Sequence, residues 1–213
     1  MSLINFPSPP NLPLAPLQFD SRYQEGLNNV LRLYFNRLSG TFQNVLGPVG
    51  GQYISFPFGA FISTVDQIAA NTTTAYAVTL SSTTASNGVS LVSGSRVTMA
   101  YTGYYNIQFS IQLSNNSNAT QDIDIWFAKN GTNIANSNSR FGLAPRKSAG
   151  DPYHVIGTVN LVEAFNGGDY VELYWRTSHV DAYIEYYAAP TTPTRPAIPS
   201  VILTATFVSS ITA

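Results

Sequence analysis

Apolar and polar residues follow three different rhythms along this chain. From Phe19 to Gly40, FDSRYQEGLNNVLRLYFNRLSG, apolar side chains fall at Tyr23, Leu27, Val30 or Leu31, Tyr34 and Leu38. Steps of three and four put them on one stripe of a 3.6-residue period, which predicts an amphipathic helix over 19–40. Leu33 and Phe35 widen its apolar surface. Ser21 with Gln24 three residues on reads as a capping box, and Ser39-Gly40 as the stop. About 20 residues make a rod of roughly 30 Å. Arg22, Glu25, Arg32 and Arg37 interrupt it too often for a membrane span. Two uses are open: packing on the domain that follows, or bundling with copies of itself through Tyr23, Leu27, Val30, Tyr34 and Leu38. The flanking composition offers no second apolar layer, which favours the bundle.

Residues 1–18, MSLINFPSPPNLPLAPLQ, alternate proline with large apolar side chains. Proline favours an extended, polyproline-type arm without internal hydrogen bonds. Leu3, Ile4, Phe6, Leu12 and Leu14 are more apolar than a solvated linker needs, so the expectation is an anchoring arm. A stiff arm also loses little entropy on docking. It has no basic start followed by an apolar core and does not read as a signal peptide. Residues 41–52, with Gly47, Pro48, Gly50 and Gly51, read as a hinge.

Beyond it the period drops to two. Alternation is plain in Tyr105, Ile107, Phe109, Ile111 and Leu113, in Ile123, Ile125 and Phe127, in Val171, Leu173 and Trp175, and in Val201, Leu203, Ala205 and Phe207. Strands are predicted near 53–63, 74–80, 89–92, 95–101, 104–113, 121–129, 153–165, 170–177, 181–188 and 199–211. Asn130-Gly131 is a hairpin signal, and Asn166-Gly167-Gly168-Asp169 a second turn. Many short strands with no helix between them describe an antiparallel jelly-roll β-sandwich over 53–213. The fold class is therefore mainly β: a jelly-roll head after an extended Pro-rich arm and one short amphipathic helix.

Composition removes several functions. The 213 residues are 44% hydrophobic and only 10% charged, so neutral Ser, Thr and Asn must carry solubility. A net charge of −1 with scattered basic residues leaves no electrostatic footprint for nucleic acid. No cysteine means no disulfide framework and no thiol chemistry. His154 and His179 are the only imidazoles, and both read as loop or turn residues rather than bases beside a nucleophile. Asp122 and Asp124 share one strand face roughly 7 Å apart. Paired acids can hold calcium or cleave glycosides, but a solvent-facing strand edge explains them as well. No phosphate loop, metal cluster or cofactor motif is expected. Tyrosines and tryptophan concentrate toward the C-terminal third, where they suit a protein interface or a sugar.

Three segments together resemble the trimeric jelly rolls of the complement globular heads and the tumour necrosis factor group. They are Gly103-Tyr104-Tyr105-Asn106-Ile107-Gln108-Phe109-Ser110, Lys129-Asn130-Gly131-Thr132 and Gly168-Asp169-Tyr170-Val171-Glu172-Leu173. That family's closing Phe-Ser-Gly is absent, and no collagen repeat precedes the head. The Pro-rich start, Phe19-Asp20-Ser21-Arg22-Tyr23 and Phe58-Gly59-Ala60-Phe61 resemble virion proteins of tailed bacteriophages. The resemblance implies a non-enzymatic homotrimer at the virion surface, a capsid decoration or short head-fibre protein held to capsid or tail proteins by residues 1–40. The alternative is a tail-fibre tip that binds host-surface glycan. Trimer or ligand contacts are then expected at Tyr105, Phe109, Trp175, Tyr183 and Tyr187.

Overall fold

The computed structural model describes residues 7–46 and 56–211. Leu3, Ile4, Phe6 and residues 47–55 of the expected hinge and first strand lie outside them. The chain divides into two compact units, Met1–Ser55 and Phe56–Ala213.

In the first unit a single helix, α1, spans Ser21–Leu46. Its cap is Asp20, one residue earlier than the capping-box reading. The Asp20 carboxylate accepts from the Arg22 amide at 2.9 Å, and its carbonyl takes the first helical bond from Gln24 at 3.1 Å. The helix does not stop at Gly40. An interior glycine costs about 1 kcal/mol, but the stripe continues past it through the half-buried Thr41 and Val45. The expected hinge therefore begins inside the helix. Tyr23, Leu27, Val30, Tyr34 and Leu38 are half-buried as well, and with Thr41 and Val45 they repeat every eleven residues. The arm runs back along the same helix. The Tyr23 hydroxyl donates to the Pro13 carbonyl at 3.4 Å, and Pro9, Pro10 and Asn11 border a cleft with Val30, Leu33, Tyr34 and Arg37. Leu14 and Leu17 take no part and stand in solvent, 95% and 105% exposed.

The second unit is a two-sheet sandwich. Its strands are β1 (Phe58–Ser63), β2 (Tyr76–Ala77), β3 (Ser82–Asn87), β4 (Val89–Val92), β5 (Arg96–Met99), β6 (Gly103–Asn115), β7 (Gln121–Lys129), β8 (Thr132–Asn133), β9 (Ser139–Leu143), β10 (Tyr153–Phe165), β11 (Tyr170–Thr177), β12 (Ala182–Ile184) and β13 (Val201–Ser209). Sheet I has the order β10-β6-β13-β1-β3, with β12 pairing the end of β6. Sheet II has the order β4-β5-β11-β7-β8, with β2 on β11 and β9 on β7. From β5 to β7 and again from β9 to β12 the chain crosses between sheets at each step, as a jelly roll does, and all strand pairs are antiparallel.

Period-two alternation sets the core. Tyr105, Ile107, Phe109, Ile111 and Leu113 of β6 meet Ile123, Ile125 and Phe127 of β7 and Val171, Leu173 and Trp175 of β11. Phe109 and Phe127 pack with ring centroids 5.6 Å apart, and Tyr105 sits edge-on between Phe165 and Phe207. Each such side chain contributes about 1.5–3 kcal/mol by leaving water. The Tyr105 hydroxyl donates to the Tyr101 carbonyl at 2.9 Å, which satisfies its one buried polar group.

Both turns form as the sequence expects. Asn130 and Gly131 adopt φ of 51° and 78° between the paired Lys129 and Thr132. Asp169 Oδ2 accepts from the Asn166 amide at 2.8 Å, while Asn130 Nδ2 donates to its Oδ1, so the two turns brace each other. Strands β3, β8 and β9 are additions to the predicted set. The expected 74–80 strand reduces to two paired residues, and 181–188 to three.

Candidate functional site

The alternation that makes the strands also decides which aromatics reach a surface. Tyr105, Phe109 and Trp175 are at most 1% exposed, inside the sandwich. This corrects their assignment to trimer or ligand contact, since a side chain closed off by its own domain cannot touch a second molecule. Tyr183 and Tyr187 are only partly buried. They share Glu185, the Tyr183 hydroxyl donating to Oε1 at 3.2 Å and the Tyr187 hydroxyl to Oε2 at 2.6 Å. Tyr187 also lies 2.6 Å from His154 Nδ1. Burial and then Glu185 push both phenols upward. Neither imidazole has a Ser or Thr hydroxyl among its hydrogen-bond partners, and no group of three His, Asp or Glu able to hold a metal occurs among the described residues. No helix among them is long and apolar enough to cross a membrane.

The outer face of sheet I is read directly from register. Ile202, Ser110 and Thr158 form one row across β13, β6 and β10; Thr204, Gln108 and Asn160 the next; Thr206, Asn106 and Val162 the third. Tyr104, Ile156 and Val208 extend it, and β1 adds Phe58, Ala60 and Ile62. Not one of these positions carries a charge. Ile156 is 60% exposed and Ile202 41%.

The outer face of sheet II has the opposite character. Its rows run Arg176, Asp124, Arg140; then Tyr174, Trp126; then Glu172, Ala128, Asn133 across β11, β7 and β9 or β8. Asp124 is not on a solvent-facing edge as its sequence suggested. It lies on an inner strand, 4% exposed, and accepts from Arg140 Nε at 2.8 Å, Arg140 Nη2 at 3.2 Å and Arg176 Nε at 3.0 Å. Its pKa is held below the ordinary carboxylate value by the Arg140 hydrogen bond, against the opposing effect of burial, with Arg176 adding to the lowering. Glu172 receives the Ser95 hydroxyl at 2.6 Å, and Arg96 approaches it at 3.6 Å while covering the Tyr170 ring at 4.7 Å. Trp126 and Tyr174 stack with centroids 6.1 Å apart and planes 20° from parallel.

Beside that stack lies an open cleft of about 320 Å³ lined by Asp124, Trp126, Asn133, Ile134, Asn136, Asn138 and Arg176. Its far wall is the loop between β8 and β9. Ser137 fixes the loop: its Oγ donates to the Ile134 carbonyl at 2.8 Å and accepts from the Phe127 amide of β7 at 3.1 Å. Asn136 takes a left-handed φ of 62°, which asparagine tolerates better than most residues. The Trp126 indole N–H donates to Asn133 Oδ1 at 2.8 Å and so sets the ring orientation. Trp126, Arg140 and Arg176 were not among the expected contacts. Their signal was available: if Ile123, Ile125 and Phe127 point inward, Asp124 and Trp126 point outward.

No protein-family model matches the chain, and no curated protein is similar to it in sequence.

Proposed function

We propose that the protein is a non-enzymatic, homotrimeric structural protein of a tailed-bacteriophage virion, a capsid decoration or short head-fibre protein attached through residues 1–40. The observation that carries the reading is the uncharged centre of the outer face of sheet I, the three rows across β13, β6 and β10. Charged groups taken into an interface cost several kcal/mol each unless paired; these rows have none, and the ionisable His154 and Glu185 stand together at the β12 end of the sheet, 3.4 Å apart. Four strands about 4.8 Å apart and roughly 9 residues long cover on the order of 600 Å², close to one partner's share of a stable protein interface. The half-covered stripe of α1 and the exposed Leu14 and Leu17 supply further apolar surface at the other unit. An eleven-residue repeat corresponds to about 3.67 residues per turn, so helices bundled by it run straight or coil right-handedly rather than as a left-handed heptad coil. The ordered segments at the start of β6, at the Asn130-Gly131 turn and before β11 support the likeness to trimeric jelly rolls.

Light scattering on the purified chain tests this. The expected mass is three times that of the 23.1 kDa chain, and a stable monomer at micromolar concentration removes the proposal. A fibre tip that contacts host glycan is the second reading, and the cleft on sheet II is the observation that favours it.

A further inference from the structure

We infer that the cleft between Trp126 and the β8–β9 loop is a binding site for a neutral pyranose of a surface glycan. A pyranose offers two chemistries at once, an apolar C–H face and a ring of hydroxyls that both donate and accept. The cleft presents the complement to each. Trp126 supplies an aromatic surface whose orientation is fixed by the Asn133 bond and by Tyr174 stacked on it. Asn136 and Asn138 bring side-chain amides, each with donors and an acceptor, from a loop that Ser137 ties to β7. Arg176 gives only its Nε to Asp124, and its remaining N–H donors face no protein acceptor among the described residues.

Charge selects the class of sugar. Asp124 balances Arg176 in the lining, and Asp122 lies close enough to raise the pKa of Arg140 alongside Asp124. Two acids against two arginines leave no excess charge to attract a sulfated or carboxylated sugar. A pre-formed, open cleft with an aromatic wall and fixed planar polar groups loses little entropy on binding a rigid ring. All the residues belong to one head, so the inference holds whether or not the chain trimerises.

The test is an array of neutral and acidic bacterial-surface oligosaccharides probed with the full chain, followed by titration of the best ligand. Trp175 is enclosed in the core, so the fluorescence change on binding reports Trp126. Binding to neutral glycans is expected, weakened roughly tenfold by Trp126→Ala and by several-fold in Asn138→Ala, an exposed position whose loss leaves the sheet intact. Thermal melts matching the wild type confirm that both variants are folded. Absence of neutral-glycan binding at millimolar concentration, preference for acidic glycans, or affinity unchanged in both variants overturns the inference.

Discussion

The two outer faces of the sandwich are built on the same backbone plan and end in different chemistry. On sheet I the rows across β13, β6 and β10 hold only Ser, Thr, Asn and Gln, with Ile or Val in the two flanking rows. On sheet II, Arg176, Asp124, Arg140, Glu172 and Arg96 crowd around the Trp126–Tyr174 stack. In a chain with only 10% charged residues this division matters. Lone charges on sheet I would resist burial against another copy, whereas the paired charges of sheet II are already neutralised locally and can stay wet. The contrast teaches that inward residues make the sandwich while outward residues divide the labour, one face suited to association and the other to solvent and small polar ligands.

The largest effect expected from breaking that contrast comes from putting charge on sheet I. Gln108 and Thr204 face each other across β6 and β13 in the middle of the outer face. In the proposed trimer Gln108→Glu with Thr204→Glu would place six carboxylates at the shared interface, and complete dissociation is expected by light scattering, with the melt of the monomer little changed. Thr98→Glu, on sheet II, is expected to leave the mass as it was. Dissociation by Thr98→Glu, or a persistent trimer in the double variant, breaks the assignment of faces.

A smaller effect tests how sheet II keeps its charges. Asp124 accepts three hydrogen bonds from two arginines, so Asp124→Ala is expected to cost about 1–3 kcal/mol. That amounts to a Tm lower by several degrees in a domain of this size. The pH dependence has a definite sign. Asp124 and Asp169 both have folded pKa values below their unfolded ones, the first through Arg140, the second through the backbone amide of Asn166. Their stabilisation is whole above the unfolded value near pH 4 and drains away as pH falls through the folded value. The Tm difference between wild type and Asp124→Asn should therefore be widest at neutral pH and shrink as the pH falls below the ordinary carboxylate value of about 4. A difference that is constant across the acid limb contradicts the ion-paired role.

How far these faces were legible beforehand depends on the strand. β6, β7, β10 and β11 alternate cleanly, and their predicted limits fall within two residues of the observed ones. β3, Ser-Thr-Thr-Ala-Ser-Asn, has no apolar alternate because it is an edge strand exposed on nearly every residue. Tertiary pairing with β1 makes it a strand, and no local pattern could show that. The aromatics failed for a different reason. Size drew attention to Tyr105, Phe109 and Trp175, whereas parity already placed them inside and left Tyr104, Gln108, Trp126 and Tyr174 outside. The partners of Asp124 lie 16 and 52 residues away and depend on register. In α1 the glycine stop was outweighed by an apolar stripe that simply continues through Val45.

The finest test separates the cleft from the sheet that carries it. Ser137 is almost enclosed, and its hydroxyl is what joins the β8–β9 loop to Phe127 of β7. Ser137→Ala removes that hydroxyl without altering any charge or any residue of the cleft lining, at a stability cost of about 1 kcal/mol. Association is expected to be untouched, because the loop belongs to sheet II. Amide hydrogen exchange should nevertheless accelerate across residues 134–138 and leave β6, β10 and β13 at wild-type rates. Faster exchange on sheet I would mean that the two faces are coupled through the core, and the division between them would have to be given up.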